Sequence, residues 1–452
     1  MSEDRRMALA ILVGATGSHI ASWLHPETRA DASTSIEWHR ETAQLAERGL
    51  FDLFFIADTP AARTSNLAGF SRMPLYMNVL EPLTLLSALA GSTRHIGLGG
   101  TASTSFSEPY NIARQFASLD HISHGRAAWN VVTSANDFAA RNFGLDRLPP
   151  HAERYERARE FVQLVQALWD TWEDDAFIRD RASGLFFDPA KQHPVHHEGK
   201  HFRVHGALNI ERTPQGQPVI IQAGASETGK ELAAETAEVV FSSDSTLEGS
   251  QAFYRDLKGR MAKYGRQPEE LKVLAGMPLL IADSAQEAED LHQTLQHLIH
   301  PDVGRMYLGM DLETDLSDLP LDEPIPADRI PKSANFHKAF FDHILHLIRT
   351  EKLTLRQLYL RYERGRQTLR GTPVQVADRL EEWFTGGACD GFMLTFSLLP
   401  GGLAAFVEKV VPELQRRGLM RTRYEGRTLR EHLGLRRPPN RHAAAQGAAA
   451  AD

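Results

Sequence analysis

The stretch HGRAAWNVVTSANDFAARNFG, residues 124–144, begins like a buried β-strand and ends like a polar loop. Its apolar part consists of Ala127, Ala128, Trp129, Val131 and Val132. Asn130 interrupts this run, and the polar residues Thr133, Ser134 and Asn136 follow it. A short apolar run that ends in turn-forming polar residues is typical of a strand buried on both faces. The polar exit predicts a site at the end of this strand.

Seven further apolar runs alternate with amphipathic stretches such as residues 35–49. The predicted strands are residues 7–13, 52–57, 95–103, 126–132, 218–224, 237–243, 271–282 and 390–396. Eight strand-then-helix units predict an α/β fold, a TIM (β/α)8 barrel, rather than an open doubly wound sheet. The doubly wound alternative needs a Gly-rich phosphate loop after its first strand. The sequence there, VGATGSHIASW, has glycines only at positions 14 and 17.

Two segments are too long to be simple connections between barrel elements. We predict insertions at residues 173–216, after strand four, and at residues 283–372, after strand seven. Such insertions usually build the mouth of the active site, and the second is our candidate lid. We expect residues 1–438 to form a single barrel with these insertions. Residues 439–452 have little to bury and are expected to form a mobile tail.

Composition excludes several classes of function. The chain of 452 residues is 42% hydrophobic and 24% charged, with a formal net charge of −8. This balance gives no basic surface for nucleic acid or an anionic membrane. No segment approaches the roughly 18 consecutive apolar residues of a membrane span. Glu3 and Asp4 offset Arg5 and Arg6 ahead of a short apolar run, so we expect a first strand rather than a signal peptide, and a cytoplasmic protein.

Cysteine and histidine usage bears on metal binding. The single cysteine, Cys389, excludes a disulfide framework and a metal site with several thiolates, and we expect it to be buried. Among 20 histidines, five lie in HPVHHEGKHFRVH, residues 193–205. Pro194 and Gly199 predict a loop or hairpin there rather than a helix with zinc-ligand spacing. We therefore expect no metal site.

Chemistry in a TIM barrel lies at the carboxyl ends of the strands. Asp58 ends strand two, and Ser103 and Thr104 end strand three. At the end of strand five, Gly224 permits a tight turn and Ser226 is a good N-cap for the helix that follows. A helix N-terminus binds anions, phosphate above all, although an ordinary N-cap fits this motif as well.

A second element points to phosphate. The stretch HAERYERAREF, residues 151–161, opens a strongly amphipathic helix after two prolines. His151 and Tyr155 are four residues apart, so they share one face of its first turns. Both side chains can donate hydrogen bonds to a phosphate, and both equally fit a partly buried core position.

The stretches at 125–144, 151–161 and 217–229 (QPVIIQAGASETG) together resemble the bacterial-luciferase-like flavin monooxygenases. The resemblance is strongest to the branch of nitrilotriacetate, EDTA and dibenzothiophene-sulfone monooxygenases. FDLFFIAD and the C-terminal YEGRTLREHLGLRRP (424–438) match in the same order, so the resemblance covers nearly the whole chain. It implies a TIM barrel that binds FMN without covalent attachment.

The resemblance also implies site residues. It makes Asn130 the residue that faces the reactive edge of the flavin, where an amide can donate and accept without changing its protonation state. The other implied cofactor contacts are Asp58 and either Ser103 or Thr104 in the flavin pocket, His151, Tyr155 and Ser226 at the phosphate, and Gly224 and Ala225 in the phosphate turn. Residues that follow or end early strands are candidates for the substrate pocket: His19, Trp23, Phe54, Arg63, Asn66 and Phe106.

The function implied by the resemblance is that of the oxygenase component of a two-component system. A separate NAD(P)H:flavin reductase supplies FMNH2, which reacts with O2 to a peroxyflavin that transfers one oxygen to a small organic substrate. The resemblance also implies a homodimer or a dimer of dimers. A deazaflavin-dependent dehydrogenase on the same barrel and a non-catalytic flavin-binding protein remain alternatives, and the substrate stays open.

Overall fold

The computed structural model describes residues 5–75, 77–134, 136–333, 338–362 and 367–442. Its strands are β1 (Ala8–Leu12), β2 (Leu53–Ile56), β3 (Gly97–Ser103), β4 (Ala127–Val132), β5 (Val195–Glu198), β6 (Arg203–Gly206), β7 (Val219–Gln222), β8 (Val239–Ser242), β9 (Lys272–Ile281), β10 (Leu369–Gly371) and β11 (Gly391–Phe396). Eight of them pair in parallel in the order β1-β2-β3-β4-β7-β8-β9-β11, and β11 pairs back onto β1. The TIM barrel prediction is therefore confirmed.

The helices of the described residues surround this barrel. They are α1 (Ile36–Arg48), α2 (Leu67–Phe70), α3 (Pro82–Ala90), α4 (Pro109–Ile122), α5 (Asp137–Asn142), α6 (His151–Trp169), α7 (Glu227–Thr236), α8 (Leu247–Arg260), α9 (Ala285–His297), α10 (Pro301–Leu312), α11 (Lys338–Glu351), α12 (Leu355–Arg361), α13 (Pro373–Thr385), α14 (Gly401–Ala405), α15 (Val411–Arg416) and α16 (Leu429–Leu433). One π-helical turn, Phe406–Val410, joins α14 to α15. Within the ranges given above, none of these helices combines the length and apolar character needed to span a lipid bilayer.

Barrel closure depends on a close approach of the first and last strands. Ala8 is the register partner of Gly391, and the pairing continues to Ile11 and Leu394. A Cβ atom at position 391 would lie 1.9 Å from the carbonyl oxygen of Ala8. Only glycine fits that spacing, because any side chain there would push the two strands apart.

The core has two layers, one inside the barrel and one between the barrel and its helices. Leu53, Phe55 and Ile221 pack inside the barrel. Trp129 points the other way, into the helix layer, where its ring centroid lies 5.8 Å from that of Phe161. The predicted buried strand at 126–132 therefore faces apolar groups on both sides, as its composition indicates. Cys389 is buried, as predicted.

The segment 173–216 carries the β5–β6 hairpin, which confirms the loop-or-hairpin prediction for its histidine-rich part. The hairpin packs on α6, where the Glu160 carboxylate accepts the backbone N–H groups of His201 and Phe202. None of the residues 173–216 lines the cavity at the barrel mouth. The expectation that this insertion builds the mouth is wrong, because the segment follows α6 and so leads back to the amino-terminal end of β7.

The segment 283–372 contains α9 to α12 and forms a hydrophobic cluster largely of its own. The cluster also includes Ala21, Phe70 and Met73, from the connections that follow β1 and β2. After α12, strand β10 adds to the outer end of β9, with Leu369 opposite Leu279. This second insertion thus packs on loops at the carboxyl ends of the barrel strands.

The predicted tail begins later than residue 439. Asn440 is buried, and its side-chain amide donates to the carbonyl oxygens of Asp170 and Trp172 at 3.1 and 2.8 Å. The ring of His442 stacks on that of His193 with 4.1 Å between the centroids. These contacts fix the chain as far as residue 442, and the rest of the predicted tail, 443–452, lies outside the described residues.

Candidate active site at the barrel mouth

A cavity of about 670 Å³ lies at the carboxyl ends of the barrel strands. Strand residues form one side of it, among them Leu12, Phe55, Asn130, Phe241 and Met393. The segment 283–372 lines the other side, with His292 and Gln296 of α9, Tyr307 of α10, Tyr359 of α12, and Tyr362. The cavity is therefore enclosed between the barrel and the second insertion.

Asn130 presents a buried amide to this cavity. The residue is 4% exposed, and its Nδ2 donates to the Thr101 hydroxyl at 2.9 Å. Thr101 is its direct register partner on β3, so both side chains point into the barrel. The Oδ1 atom is buried and has no hydrogen-bond partner among the described residues. A buried acceptor without a partner is costly, so this atom suits a ligand that brings an N–H group.

The residues predicted for the phosphate come together at the start of α7. Ser226 caps this helix, with its Oγ accepting the N–H of Gly229 at 3.1 Å. The Nε2 atom of His151 lies 3.5 Å from the same Oγ. The Tyr155 ring packs beside the His151 ring, with 4.6 Å between centroids. Two donor side chains thus converge on a helix N-terminus, which is the arrangement that binds phosphate.

Two glycines let the turn, the start of α7 and Tyr155 approach one another closely in this corner. A Cβ atom at Gly229 would lie 3.1 Å from the Tyr155 hydroxyl and 3.0 Å from the Cα of Gly224. A larger residue at position 229 would push the turn and the Tyr155 hydroxyl away from the helix. Ala225 follows in the same turn and is exposed.

A second cavity of about 300 Å³ lies between the phosphate corner and the mouth. Tyr155 and Gly224 line one part of it, Asp58 another, and Ala223 lines both this cavity and the mouth cavity. Burial raises the pKa of the Asp58 carboxyl, and the nearby Glu81 carboxylate raises that pKa further. The phosphate corner, this cavity and the mouth cavity follow one another from Ser226 to Asn130, with Tyr155, Gly224 and Ala223 lining the junctions. This track suits a long, phosphate-bearing ligand.

The two candidate hydroxyls at the end of β3 are placed differently. The Ser103 Oγ lies 2.7 Å from the Ser134 Oγ and lines a groove of about 720 Å³ beside Asp58. Thr104 is fully buried, and its hydroxyl donates to the Val132 carbonyl at 3.2 Å. Thr104 therefore does not reach any of these cavities, and Ser103 is the better placed of the two.

Only one predicted substrate-pocket residue, His19, lines the mouth cavity. The prediction for Phe54 is wrong, because its side chain lies in the layer between barrel and helices and its neighbour Phe55 points inward. Trp23 donates its indole N–H to the Arg72 carbonyl at 2.8 Å and lies away from the cavity.

The other three candidates also lie elsewhere. The Arg63 guanidinium stacks on the Phe138 ring at 3.8 Å, and Asn66 precedes α2 with a positive φ of 53°. The Phe106 ring stacks on Phe143, with 4.6 Å between centroids, in the groove that Ser103 also lines. These side chains make contacts within the loops around the mouth and do not line the mouth cavity itself.

The sequence reasoning missed several residues of the site. The exits of the last three barrel strands place Ser242, Gly276, Thr395 and Ser397 at the cavity. The rule applied to the first five strands would have found the serines and the threonine, since they end the apolar runs. Arg157 of α6 supports the end of β3 from outside these cavities, and its Nε donates to the Thr104 carbonyl at 3.1 Å. Across the described ranges no cluster of His, Cys, Asp or Glu could hold a metal ion.

Comparison with known proteins agrees with this geometry. Residues 15–389 match the family model described as luciferase-like monooxygenase. The chain is 46% identical to N-acetyl-S-(2-succino)cysteine monooxygenase of Bacillus subtilis, over 98% of this chain and 99% of that protein. It is also 46% identical to nitrilotriacetate monooxygenase component A of Aminobacter aminovorans, over 97% and 99% of the two chains.

Solved structures give the same result. EDTA monooxygenase from Chelativorans sp. BNC1 superposes with a TM-score of 0.78 at 34% identity, over 96% of this chain and 100% of the other. A riboflavin lyase solved with modified FMN and riboflavin gives a TM-score of 0.82 at 30% identity, over 96% and 97% of the two chains. The resemblance drawn from the sequence is thereby confirmed.

Proposed function

On the premise that this chain belongs to the luciferase-like monooxygenase family, we propose that it is the oxygenase component of a two-component system that uses FMNH2. The chain is an FMN-dependent monooxygenase. The proposal adds that the flavin arrives reduced, that O2 is the co-substrate, and that one oxygen atom enters a small organic molecule.

The observation that carries the proposal is the track from Ser226 to Asn130. In the proposal the N-terminus of α7, with His151 and Tyr155, holds the phosphate of FMN. Asn130 would hold the flavin ring at the mouth, because its partnerless Oδ1 could accept an N–H group of the ring. Asn130 stays neutral throughout, so it orients the ring without taking up or releasing a proton.

Bound reduced FMN supplies the two electrons with which O2 gives one oxygen atom to the substrate and the other to water. The chain itself provides a dry chamber and an orientation for both reactants. We propose that the segment 283–372 acts as the lid of this chamber, supported by its side chains on the cavity wall. Phe55, Phe241 and Met277 supply the apolar surface against which a substrate packs.

A separate NAD(P)H:flavin reductase is the proposed partner. The connection after β1 lacks a Gly-rich dinucleotide motif, and a relative with 46% identity is named as component A of its system. We also propose a homodimer or dimer of dimers in the cytoplasm, which sedimentation of the purified protein and cell fractionation test.

The reconstitution experiment tests this proposal. The purified chain with FMN, O2, substrate and NADH should form almost no product, and adding a flavin reductase should restore product formation. Substantial NADH-driven turnover by this chain alone would contradict the two-component proposal. Product formed without O2 would favour a dehydrogenase instead, and flavin binding without any turnover across a broad panel would favour a flavin-binding protein.

The substrate panel starts from the relatives. Their names identify a carboxylated thioether and a carboxylated amine as substrates of the two proteins that are 46% identical. Such compounds are our first candidates, followed by sulfones and halogenated aromatics. Product detection by mass spectrometry with ¹⁸O2 identifies the substrate, since a true product gains one labelled oxygen atom.

A further inference from the structure

A chain of hydrogen bonds joins the barrel to the second insertion across the wall of the mouth cavity. It starts at the backbone N–H of Ala21, which donates to the Nδ1 atom of His19 at 3.1 Å. The Nε2 atom of His19 lies 3.3 Å from the Oε1 atom of Gln296 on α9. The Nε2 atom of Gln296 then donates to the Leu360 carbonyl of α12 at 2.6 Å. Three separate pieces of chain meet through two side chains.

The groups at the two ends of this series of hydrogen bonds determine which atom is the donor in each bond. Gln296 must use its NH2 group toward the carbonyl of Leu360, so its oxygen faces His19. His19 must accept at Nδ1 from a backbone N–H, so that nitrogen carries no proton. The proton of His19 therefore sits on Nε2 and is donated to Gln296. These hydrogen bonds select the Nε2–H form of the imidazole.

At the barrel end of this series of hydrogen bonds, the backbone of His19 is bound to the end of β11. The backbone N–H groups of Ser18 and His19 donate to the carbonyls of Phe396 and Ser397, at 2.7 and 3.4 Å, where β11 ends. Gly17 makes this docking possible, because a Cβ there would lie 2.2 Å from the Ser397 carbonyl oxygen. The backbone of His19 is thus bound to the barrel independently of the contacts that its side chain makes.

The other end is held less firmly by its own helix. Helix α12 has seven residues, and the carbonyl of Leu360 lies in its last turn, where no later N–H of the helix can reach it. Gln296 donates to that carbonyl and is itself 7% exposed. The end of α12 is also held by the Tyr362 hydroxyl, which donates to the Asp311 carboxylate at 2.8 Å. Losing Gln296 would therefore leave the His19 proton without this acceptor and remove one of the contacts that hold the end of α12.

We propose that Gln296 is a positioning residue that accepts the Nε2 proton of His19, so orienting its imidazole, and that fastens α12 over the mouth cavity. This role rests on the proposed oxygenase function, since a fastened chamber keeps water from the bound reduced flavin. When the fastening is lost, FMNH2 passes its two electrons to O2 and H2O2 leaves without an oxygenated product. Gln296 does not touch the reacting atoms and acts through His19 and α12.

The test compares Gln296→Leu with a matched control, Gln293→Leu. Gln293 lies on the exposed face of the same helix and donates to Glu289 at 2.7 Å. Hydrogen exchange of the backbone amides of residues 355–362 should become about 2–10-fold faster in Gln296→Leu, the effect of one net hydrogen bond. Both exchange and FMN affinity in Gln293→Leu should equal those of the unmodified chain.

Two further measurements separate positioning from simple packing. Nitrogen chemical shifts of ¹⁵N-labelled histidine, assigned with His19→Asn, should show the Nε2–H tautomer in both proteins, because the Ala21 N–H still donates to Nδ1. The Nε2 shift should move in Gln296→Leu, because that variant lacks the acceptor for the Nε2 proton. The ratio of H2O2 to product per FMNH2 should rise about 2–10-fold in that variant, in proportion to the opening of α12. The variant Gln296→Glu keeps the acceptor for His19 and lacks the donor for Leu360, so it should speed exchange while His19 keeps its Nε2 proton.

Unchanged exchange in residues 355–362 of Gln296→Leu would overturn the proposal. So would faster exchange with an unchanged H2O2 ratio in an enzyme that makes product. If the unmodified chain forms no product with FMNH2, the proposed function fails, while the exchange and histidine measurements still decide whether Gln296 holds His19 and α12.

Discussion

Asn130 is the residue whose environment most directly predicts a role in catalysis. Its amide is buried, one end is held by Thr101, and the Oδ1 atom has no partner within the described chain. We expect Asn130→Ala to lower the product formed per flavin oxidised much more than it weakens FMN binding, which should change by roughly 0.5–1.5 kcal/mol. An FMN titration and a product assay on the same preparation measure the two effects. An unchanged yield per flavin would show that Asn130 is only structural.

The phosphate corner yields a second prediction at this scale. Tyr155→Phe and Ser226→Ala should each weaken FMN binding by roughly 1–2 kcal/mol, the loss expected for a hydrogen bond to a charged group. FMN should also bind better than FAD, because a terminal phosphate fits the start of α7. Riboflavin is the control ligand, since it lacks the phosphate and its affinity should not change. Equal losses for FMN and riboflavin would contradict the assignment.

Side-chain direction was the part of the site that the sequence could not supply. The apolar run DLFFIA predicts a strand correctly, but both of its faces are apolar, so the pattern does not say which phenylalanine faces the cavity. Phe55 points inward and Phe54 outward. Asn130, by contrast, could be predicted, because burying a polar side chain within an apolar strand is costly unless the side chain is hydrogen-bonded.

At the scale of elements, α6 links the phosphate corner to the strand ends. Arg157 of this helix donates to the Thr104 carbonyl, and its guanidinium lies 4.3 Å from the centroid of the Phe202 ring. Lysine cannot reproduce this planar contact, so Arg157→Lys should destabilise the fold by roughly 1–2 kcal/mol. It should also weaken FMN binding slightly, because the same helix carries Tyr155.

Arg159→Lys is the matched control for this helix. Arg159 forms an ion pair with Glu235 at 2.7 Å, but its side chain is 41% exposed. Exposed pairs contribute little, so this change should cost less than about 0.5 kcal/mol. Urea unfolding curves of both variants measure the difference. Equal losses in the free energy of unfolding would show that the contact of Arg157 with the end of β3 stabilises the fold no more than the exposed ion pair of Arg159.

Most elements could be predicted because their apolar periodicity is strong, and the exceptions have physical reasons. All eight barrel strands were predicted, with ends within a few residues. Strand β10 was missed, because Leu369–Gly371 is too short to show any periodicity. The position of the 173–216 insertion was predicted, but its side of the barrel was not, since that depends on α6 coming before it.

At the scale of the whole molecule, two buried titratable groups at the amino-terminal end of the barrel have opposite effects on stability. Burial and, to a smaller extent, the Arg421 guanidinium together lower the pKa of His432 to about 4. Burial raises the pKa of Asp52 to about 6, although the Arg421 guanidinium beside it acts in the opposite direction. Between pH 6 and 4, the free energy of unfolding falls with pH at His432, because only the unfolded chain takes up its proton. Over the same range Asp52 raises the free energy of unfolding, because its carboxylate takes up a proton in the folded chain.

Replacing His432 separates these two contributions. The free energy of unfolding of His432→Phe should fall less between pH 7.5 and 5 than that of the unmodified chain, by roughly 2 kcal/mol. A phenyl ring keeps the tilted ring contact of residue 432 with Tyr424. Urea unfolding at both pH values gives the comparison. If the free energy of unfolding fell equally in the two proteins between pH 7.5 and 5, His432 would take up its proton equally well in the folded and the unfolded chain.

The contact between Ala8 and Gly391 also governs how this chain is made. Strand β1 is synthesised well before its partner β11, so the edge of β1 stays unpaired until β11 emerges from the ribosome. The edge of β9 that β11 covers stays unpaired from the synthesis of β9 until the same moment. Unpaired edges pair readily with other chains, so the strand that closes the barrel also removes the two edges through which the nascent chain could associate.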